Sequence, residues 1–147
     1  MATLVAPTSV KQSNGARWSS KYGIYTFNST DGSLTWFHFK TNVPTNAESI
    51  GMFEAQGYMY AGGYPIRCSW GFYAYNGGVS PRGLESTSGN GLMADGIYKS
   101  SDNYLCLRAS GNAYFVGFVL NVHMNTLYYY DVSIIAANQN NNTGNYY

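Results

Sequence analysis

The sequence is short of charge. Lys, Arg, Asp and Glu make up 10% of its 147 residues, against about 25% in an ordinary soluble domain. Eight basic residues stand against seven acidic ones, for a net charge of +1. The basic residues are scattered, which excludes the electrostatic footprint of a nucleic-acid binder and the polybasic segment that holds to an anionic membrane. Long apolar runs are missing as well. Nothing approaches the ~20 apolar residues of a membrane-spanning helix, so no membrane insertion is expected. Met1–Val10 has neither the basic start nor the apolar stretch of a secretory signal. Cysteine is scarce: only Cys68 and Cys106 occur. Both fall in apolar strand-like runs, Ile66–Tyr75 and Tyr104–Ala109, where a thiol acts as a small hydrophobe. Two reduced core thiols are expected, with one disulfide as the alternative.

What is abundant is aromatic and small. Aromatic residues make up 17% of the chain, fifteen of them tyrosines, and there are 17 glycines. Tyr, Phe, Val, Ile and Thr favour strands, while Gly, Asn and Ser favour turns. Helix surfaces are built from Glu, Lys, Arg, Gln and Ala, and disorder needs low hydrophobicity with high net charge. The composition therefore predicts an ordered, all-β chain. At this length a domain buries roughly 70% of its unfolded surface and needs no metal or disulfide to fold.

Along the chain, residues 1–20 show little periodicity and read as a leader, a stalk junction or an edge segment. Residues 21–147 read as one domain. Tyr22–Asn28 and Ser33–Thr41 form a predicted hairpin around the Asp31-Gly32 turn signal. Trp36 and His38 share one face of the second strand, Phe37 and Phe39 the other. Glu48–Ala61 is the next run. Pro65–Tyr75 follows, with Cys68, Trp70, Phe72 and Ala74 on one face and Tyr73 and Tyr75 on the other. Val79–Gly91 is rich in Ser, Gly and Asn and reads as a surface loop. Leu92–Lys99 and Tyr104–Ala109 are short strands. Ala113–Asn125 alternates most cleanly, with Val116, Phe118, Leu120, Val122 and Met124 on one face. Tyr128–Ala137 closes the set, and Asn138–Tyr147 is an Asn-rich tail. About eight short strands with frequent turns predict an antiparallel sandwich or jelly-roll-like domain. Both faces of Ser33–Thr41 and of Ala113–Asn125 carry large apolar groups, more than one domain readily covers. Symmetric subunits would cover the remainder.

No motif selects a catalytic centre. The seven carboxylates have no spacing that singles out a pair for glycoside hydrolysis. His38 and His123 are the only histidines, and no metal-ligand spacing surrounds them. The Gly-rich segments are not flanked by the strand and helix of a phosphate cradle. No cofactor and no enzymatic activity are expected. Tyrosine, in contrast, combines an apolar face with a polar hydroxyl, and Tyr with Ser, Gly and Asn is the vocabulary of recognition surfaces. The alternative for each ring is a place in the core or at a subunit contact. Trp36 and Trp70 are expected in the core, and Trp18 is a candidate docking residue. The aromatic strand end and the polar connection after it, Tyr73–Gly91, make the candidate ligand site. Its named residues are Tyr73, Tyr75, Asn76, Arg82 and Asn90, and the expected ligand is a neutral, hydroxylated glycan or a protein receptor.

Four segments, Lys99–Leu107, Phe115–Asn121, Asp131–Gln139 and Trp36–Asn42, together resemble the C-terminal domain of tail-fibre or receptor-binding proteins of marine bacteriophages. The resemblance covers residues 33–147. It implies a β-rich trimer at a fibre tip that binds a host surface receptor, often a polysaccharide, and therefore a place on the virion or outside the cell. It brings no shared binding or catalytic residues with it. The chain lacks a long repetitive shaft, which is a departure from that pattern. A structural virion protein of jelly-roll type, a free lectin and a glycan depolymerase are the alternatives.

Overall fold

The computed structural model describes residues 9–11, 17–29, 36–59, 64–86, 92–111, 116–126 and 131–147. They form ten strands: β1 (Ser9–Lys11), β2 (Arg17–Ser29), β3 (Trp36–Pro44), β4 (Ser49–Met59), β5 (Tyr64–Tyr75), β6 (Gly78–Ser86), β7 (Met93–Lys99), β8 (Tyr104–Ser110), β9 (Val116–Thr126) and β10 (Ile134–Asn140). No helix occurs among the described residues. The strands make two antiparallel sheets. The larger has the order β1-β2-β9-β4-β5-β6 and the smaller the order β10-β3-β8-β7.

Alternation of side chains puts one face of each sheet in a shared core. Phe37 and Phe39 of β3 and Leu105 and Leu107 of β8 meet Phe53 of β4, Trp70 and Phe72 of β5, and Phe118, Leu120 and Val122 of β9. Aromatic rings join the layers. Phe27 of β2 meets Phe37 edge-on at 4.9 Å, and Phe118 lies 5.9 Å from both Phe37 and Phe39. Trp70 is wholly buried, and its Nε1–H donates across the sandwich to the Arg108 carbonyl at 2.9 Å. The chain is thus an all-β sandwich of two antiparallel sheets. Strands β2 and β9 pair, as do β3 and β8, while β4 pairs with the next strand in sequence, β5.

Several boundaries differ from the sequence reading, each for a physical reason. Val79–Gly91 is not a loop as far as Ser86, because 78–86 is strand β6 at the edge of the large sheet. It is exposed along nearly its whole length, so it carries no apolar alternation. It holds by backbone bonds to β5, across a register shift beside Pro81, and Pro is tolerated on such edges. The turn before it, Asn76-Gly77, has φ of +51° and +79°, the two left-handed residues that a tight hairpin requires. Arg17–Ser20, read as leader, begin β2, and Ser9–Lys11 are the short edge strand β1. The last strand is Ile134–Asn140 and runs into the Asn-rich tail, since Asn138 and Asn140 pair with His38 and Trp36 of β3. Trp36 is not core. It lies on the outer side of the small sheet with the Arg108 guanidinium 5.5 Å from its ring.

Candidate functional site

The core consumes the inward residues of the large sheet and leaves its other face outward. On β4, Phe53, Ala55 and Met59 are buried, whereas Ile50, Met52 and Tyr58 are exposed. The register lines the outward residues up in rows. Trp18 of β2 stands opposite Asn125 of β9, which stands opposite Ile50 of β4, which stands opposite Tyr73 of β5. Four strands at ~4.8 Å spacing make this row roughly 14 Å long. Trp18 is 45% exposed and Ile50 50%. Side chains of this size, held outward on a twisted sheet, have no part in the sandwich core.

At one end of the row the predicted ligand residues converge. The rings of Tyr73 and Tyr75 are parallel within 10° at 6.0 Å, because residues two apart in a strand share a face. The Arg82 guanidinium of β6 lies 5.5 Å from the Tyr73 centroid, a cation–π contact that steadies the ring. Asn76 sits exposed in the hairpin turn beside Tyr75. Four of the five predicted residues therefore come together, and Asn90 lies outside the described residues.

The adjoining row is polar. His123 Nδ1 is 2.9 Å from Ser20 Oγ, and its Nε2 is 3.1 Å from Glu54 Oε1. Asn121 Nδ2 donates to the same carboxylate at 3.4 Å, and Asn121 Oδ1 accepts from the Gly23 amide at 2.8 Å. The ring of Tyr22, 70% exposed, stands edge-on to His123 at 5.5 Å. Beside Glu54 opens a cleft of about 290 Å³ lined by Met52, Gln56, Arg67, Ser69 and Glu85 among others. Serine, imidazole and carboxylate in hydrogen-bonded sequence are the ingredients of nucleophilic catalysis. Such catalysis also needs donors aimed at a developing oxyanion. Here the Gly23 amide, in the strand irregularity next to Ser20, is already given to Asn121. The four side chains and the Gly23 amide thus form one hydrogen-bonded network on the outer face.

Both thiols and His38 are withdrawn from solvent. Cys68 and Cys106 are free and buried. Burial pushes the Cys68 thiol up to about 12 and the Cys106 thiol up to about 11, which keeps both protonated and unreactive. His38 is buried and hydrogen-bonded. Among the described residues, no group of three or more His, Cys, Asp or Glu could hold a metal ion, and no helix is long and apolar enough to cross a membrane. Sequence reasoning named Tyr73, Tyr75, Asn76 and Arg82, which lie at one end of this face, and flagged Trp18 at the other. It missed the polar row, because Ser20, His123 and Glu54 come from three strands whose register no local pattern reveals. No protein-family model, curated protein or solved structure matches this chain.

Proposed function

We propose that the chain is a receptor-binding domain that docks a neutral, hydroxyl-rich glycan of a cell surface on the outer face of its large sheet. The observation that carries this reading is the outward row from exposed Trp18 and Ile50 to half-buried Tyr73, continued by exposed Tyr75 and Arg82. Ring faces stack on the C–H faces of sugars, and the amides and hydroxyls of the next row bond their hydroxyl groups. The low formal charge of the chain suits an uncharged partner. In this reading the work is binding and not catalysis. The resemblance to marine phage fibre tips supports a virion appendage as its setting and a homotrimer as its state. Single glycan sites bind with Kd of about micromolar to millimolar, and three linked copies raise avidity by ~10²–10⁴.

A second reading has a specific observation behind it. Ile50 and Met52 are aliphatic and exposed on the same face, which suits contact with another subunit as well as a sugar. Binding of the protein to a panel of immobilised neutral and acidic glycans separates the two, run beside the Tyr73→Ala/Tyr75→Ala variant. Each ring that covers about 60 Å² of sugar contributes ~1.5 kcal/mol at ~25 cal/mol per Å², close to tenfold in affinity. The glycan reading expects selective retention and a loss of at least about tenfold in the variant. Retention of no glycan, with a native mass that falls to one chain in Ile50→Ser/Met52→Ser, would replace it with the subunit-contact reading.

A further inference from the structure

The outer face of the small sheet is roofed by the chain itself. Phe37 and Phe39 of β3 and Leu105 and Leu107 of β8 point into the core, so His38 and Cys106 point outward. Both are nevertheless fully buried, and Tyr98 of β7 is 7% exposed. The cover is residues 141–147. After β10, Asn140 Oδ1 accepts from the Asn142 amide at 2.7 Å and Asn142 Oδ1 from the Gly144 amide at 2.8 Å. These two side-chain turns carry the chain back over the sheet. The Asn142 carbonyl accepts from His38 Nε2 at 3.0 Å, and the Thr143 carbonyl from Arg108 Nη1 at 2.7 Å. The Tyr146 amide donates to Tyr98 Oη at 3.3 Å. The Tyr146 ring lies 5.5 Å from the imidazole, and Lys40 Nζ lies 5.8 Å from the Tyr147 ring. Side chains and not a strand ladder hold this segment, and His38 is at their centre.

The proton inventory of that centre is fixed by its partners. A carbonyl only accepts, so His38 Nε2 carries the hydrogen given to Asn142. Nδ1, 3.2 Å from Tyr98 Oη, then accepts the phenol hydrogen, and the phenol oxygen accepts from Tyr146. A second proton on the imidazole makes Nδ1 a donor as well. The phenol must then accept from both sides and turn its own hydrogen toward the Cys106 sulfur, a weak acceptor. The charged and titratable groups around His38 are Arg108 and Cys106 on β8, Asp95 and Tyr98 on β7, Lys40 on its own strand with Asp102 paired to it, and Tyr146 and Tyr147 on the segment above. Asp95 is tied to Arg108 at 2.6 Å and Asp102 to Lys40 at 2.6 Å, so neither carboxylate is spare to take a new imidazolium.

We propose that residues 141–147 are a proton-released strap, closed over the small sheet at neutral pH and lifted when His38 is protonated, which uncovers Tyr98, Cys106 and Arg108 as a second exposed face. Burial under the closed strap, with Arg108 adding to it, holds His38 below its ordinary value of 6.5. The Asn142 carbonyl and Asp95 pull the other way without reversing the direction. Once the strap lifts, the ring is hydrated and returns to that ordinary value. The open form therefore binds more protons below it, and the closed form loses stability as pH falls from there toward the closed-state value.

The test is independent of any glycan. In the Cys68→Ser protein, Cys106 is labelled with dithiodipyridine at about pH 7.5 and about pH 5, each rate divided by that of a free thiol at the same pH. The normalised rate is expected to rise about tenfold for each pH unit between the ordinary His38 value and the closed-state value or about pH 5, whichever is higher, so by at most about thirtyfold. His38→Gln can still donate to Asn142 and accept from Tyr98 but does not titrate, so its rate should not change. Cys68, measured in Cys106→Ser, should stay protected at both pH values. A wild-type rate that does not change overturns the proposal. So does an equal rise in His38→Gln, or a parallel rise at Cys68, which would mean global acid unfolding. Should His38→Gln fail to fold, the wild-type protein still decides. Amide NMR signals of 142–147 must move with the same midpoint as the His38 ring, and a ring that titrates while those amides stay fixed contradicts the strap.

Discussion

Replacing Gly57 by alanine should be among the most damaging single-methyl additions in this protein. Gly57 lies in β4, in the middle of the large sheet, directly opposite Phe118 of β9. A Cβ built there would overlap the Gly117 carbonyl oxygen and would stand 2.5 Å from Phe118 Cα and 2.7 Å from Phe118 Cβ. Two of these three neighbours are backbone, which no rotamer change can move away. Relief needs β4 and β9 to part by about an ångström, against an ordinary contact distance near 3.5 Å. Overpacking alone costs ~1–3 kcal/mol, and each ladder bond stretched beyond use adds ~1 kcal/mol. The expected loss is about 3 kcal/mol or more, which at a urea slope of ~1–3 kcal/mol per molar moves the midpoint down by at least about 1 M. Gly71→Ala is the internal control. Its Cβ meets nothing nearer than 3.5 Å, and its φ is not left-handed. Lower entropy of the unfolded chain should leave it neutral or up to ~1 kcal/mol more stable. A urea midpoint for Gly57→Ala within about 0.3 M of wild type, or equal to that of Gly71→Ala, would refute the close approach of β4 and β9 on which the sheet order rests.

Two further outcomes follow from buried polar groups. Ser49 is 1% exposed, and its hydroxyl has no hydrogen-bond partner among the described residues. Ser49→Ala should therefore raise stability by ~1 kcal/mol, since an unsatisfied buried group is removed at little loss of volume, and a lower thermal midpoint would contradict it. Ser20 is hydrogen-bonded to His123, which also meets Glu54, and on the binding reading proposed above this group does no chemistry. A fluorophosphonate probe should accordingly add no mass to it in the intact protein, and stoichiometric labelling abolished by Ser20→Ala would overturn that reading.

The parts of the fold that were legible in the sequence are those where a single strand carries its own two-sided pattern. Val116, Phe118, Leu120, Val122 and Met124 alternate along β9 and are all buried. Cys68, Trp70, Phe72 and Ala74 do the same on β5, and the opposite parity put Tyr73 and Tyr75 on the outer face. Strand β6 was not legible, because an exposed edge holds by backbone pairing and needs no apolar side chains. Its hairpin signal, Asn76-Gly77, was present all the same. Nor could alternation show what covers the outer side of β3. Large groups on both faces of that strand argue for a neighbouring subunit, yet His38 and Trp36 are met by the chain's own tail and by Arg108. That half of the argument for a trimer therefore has an intramolecular answer. The Ser20–His123–Glu54 row depends on the register of β2, β9 and β4, a long-range property that only the assembled sheet supplies.

The most direct test of the recognition face is an amide NMR titration with the glycan best retained on the panel, at concentrations reaching the millimolar range expected for a single site. The account predicts that shifts concentrate on outward residues of one sheet, from Trp18 and Asn125 through Ile50 and Met52 to Tyr73, Tyr75 and Asn76, with the small sheet unmoved. Shifts confined to β3, β8 and the 141–147 segment, or a bound glycan that leaves the large sheet undisturbed, would contradict it.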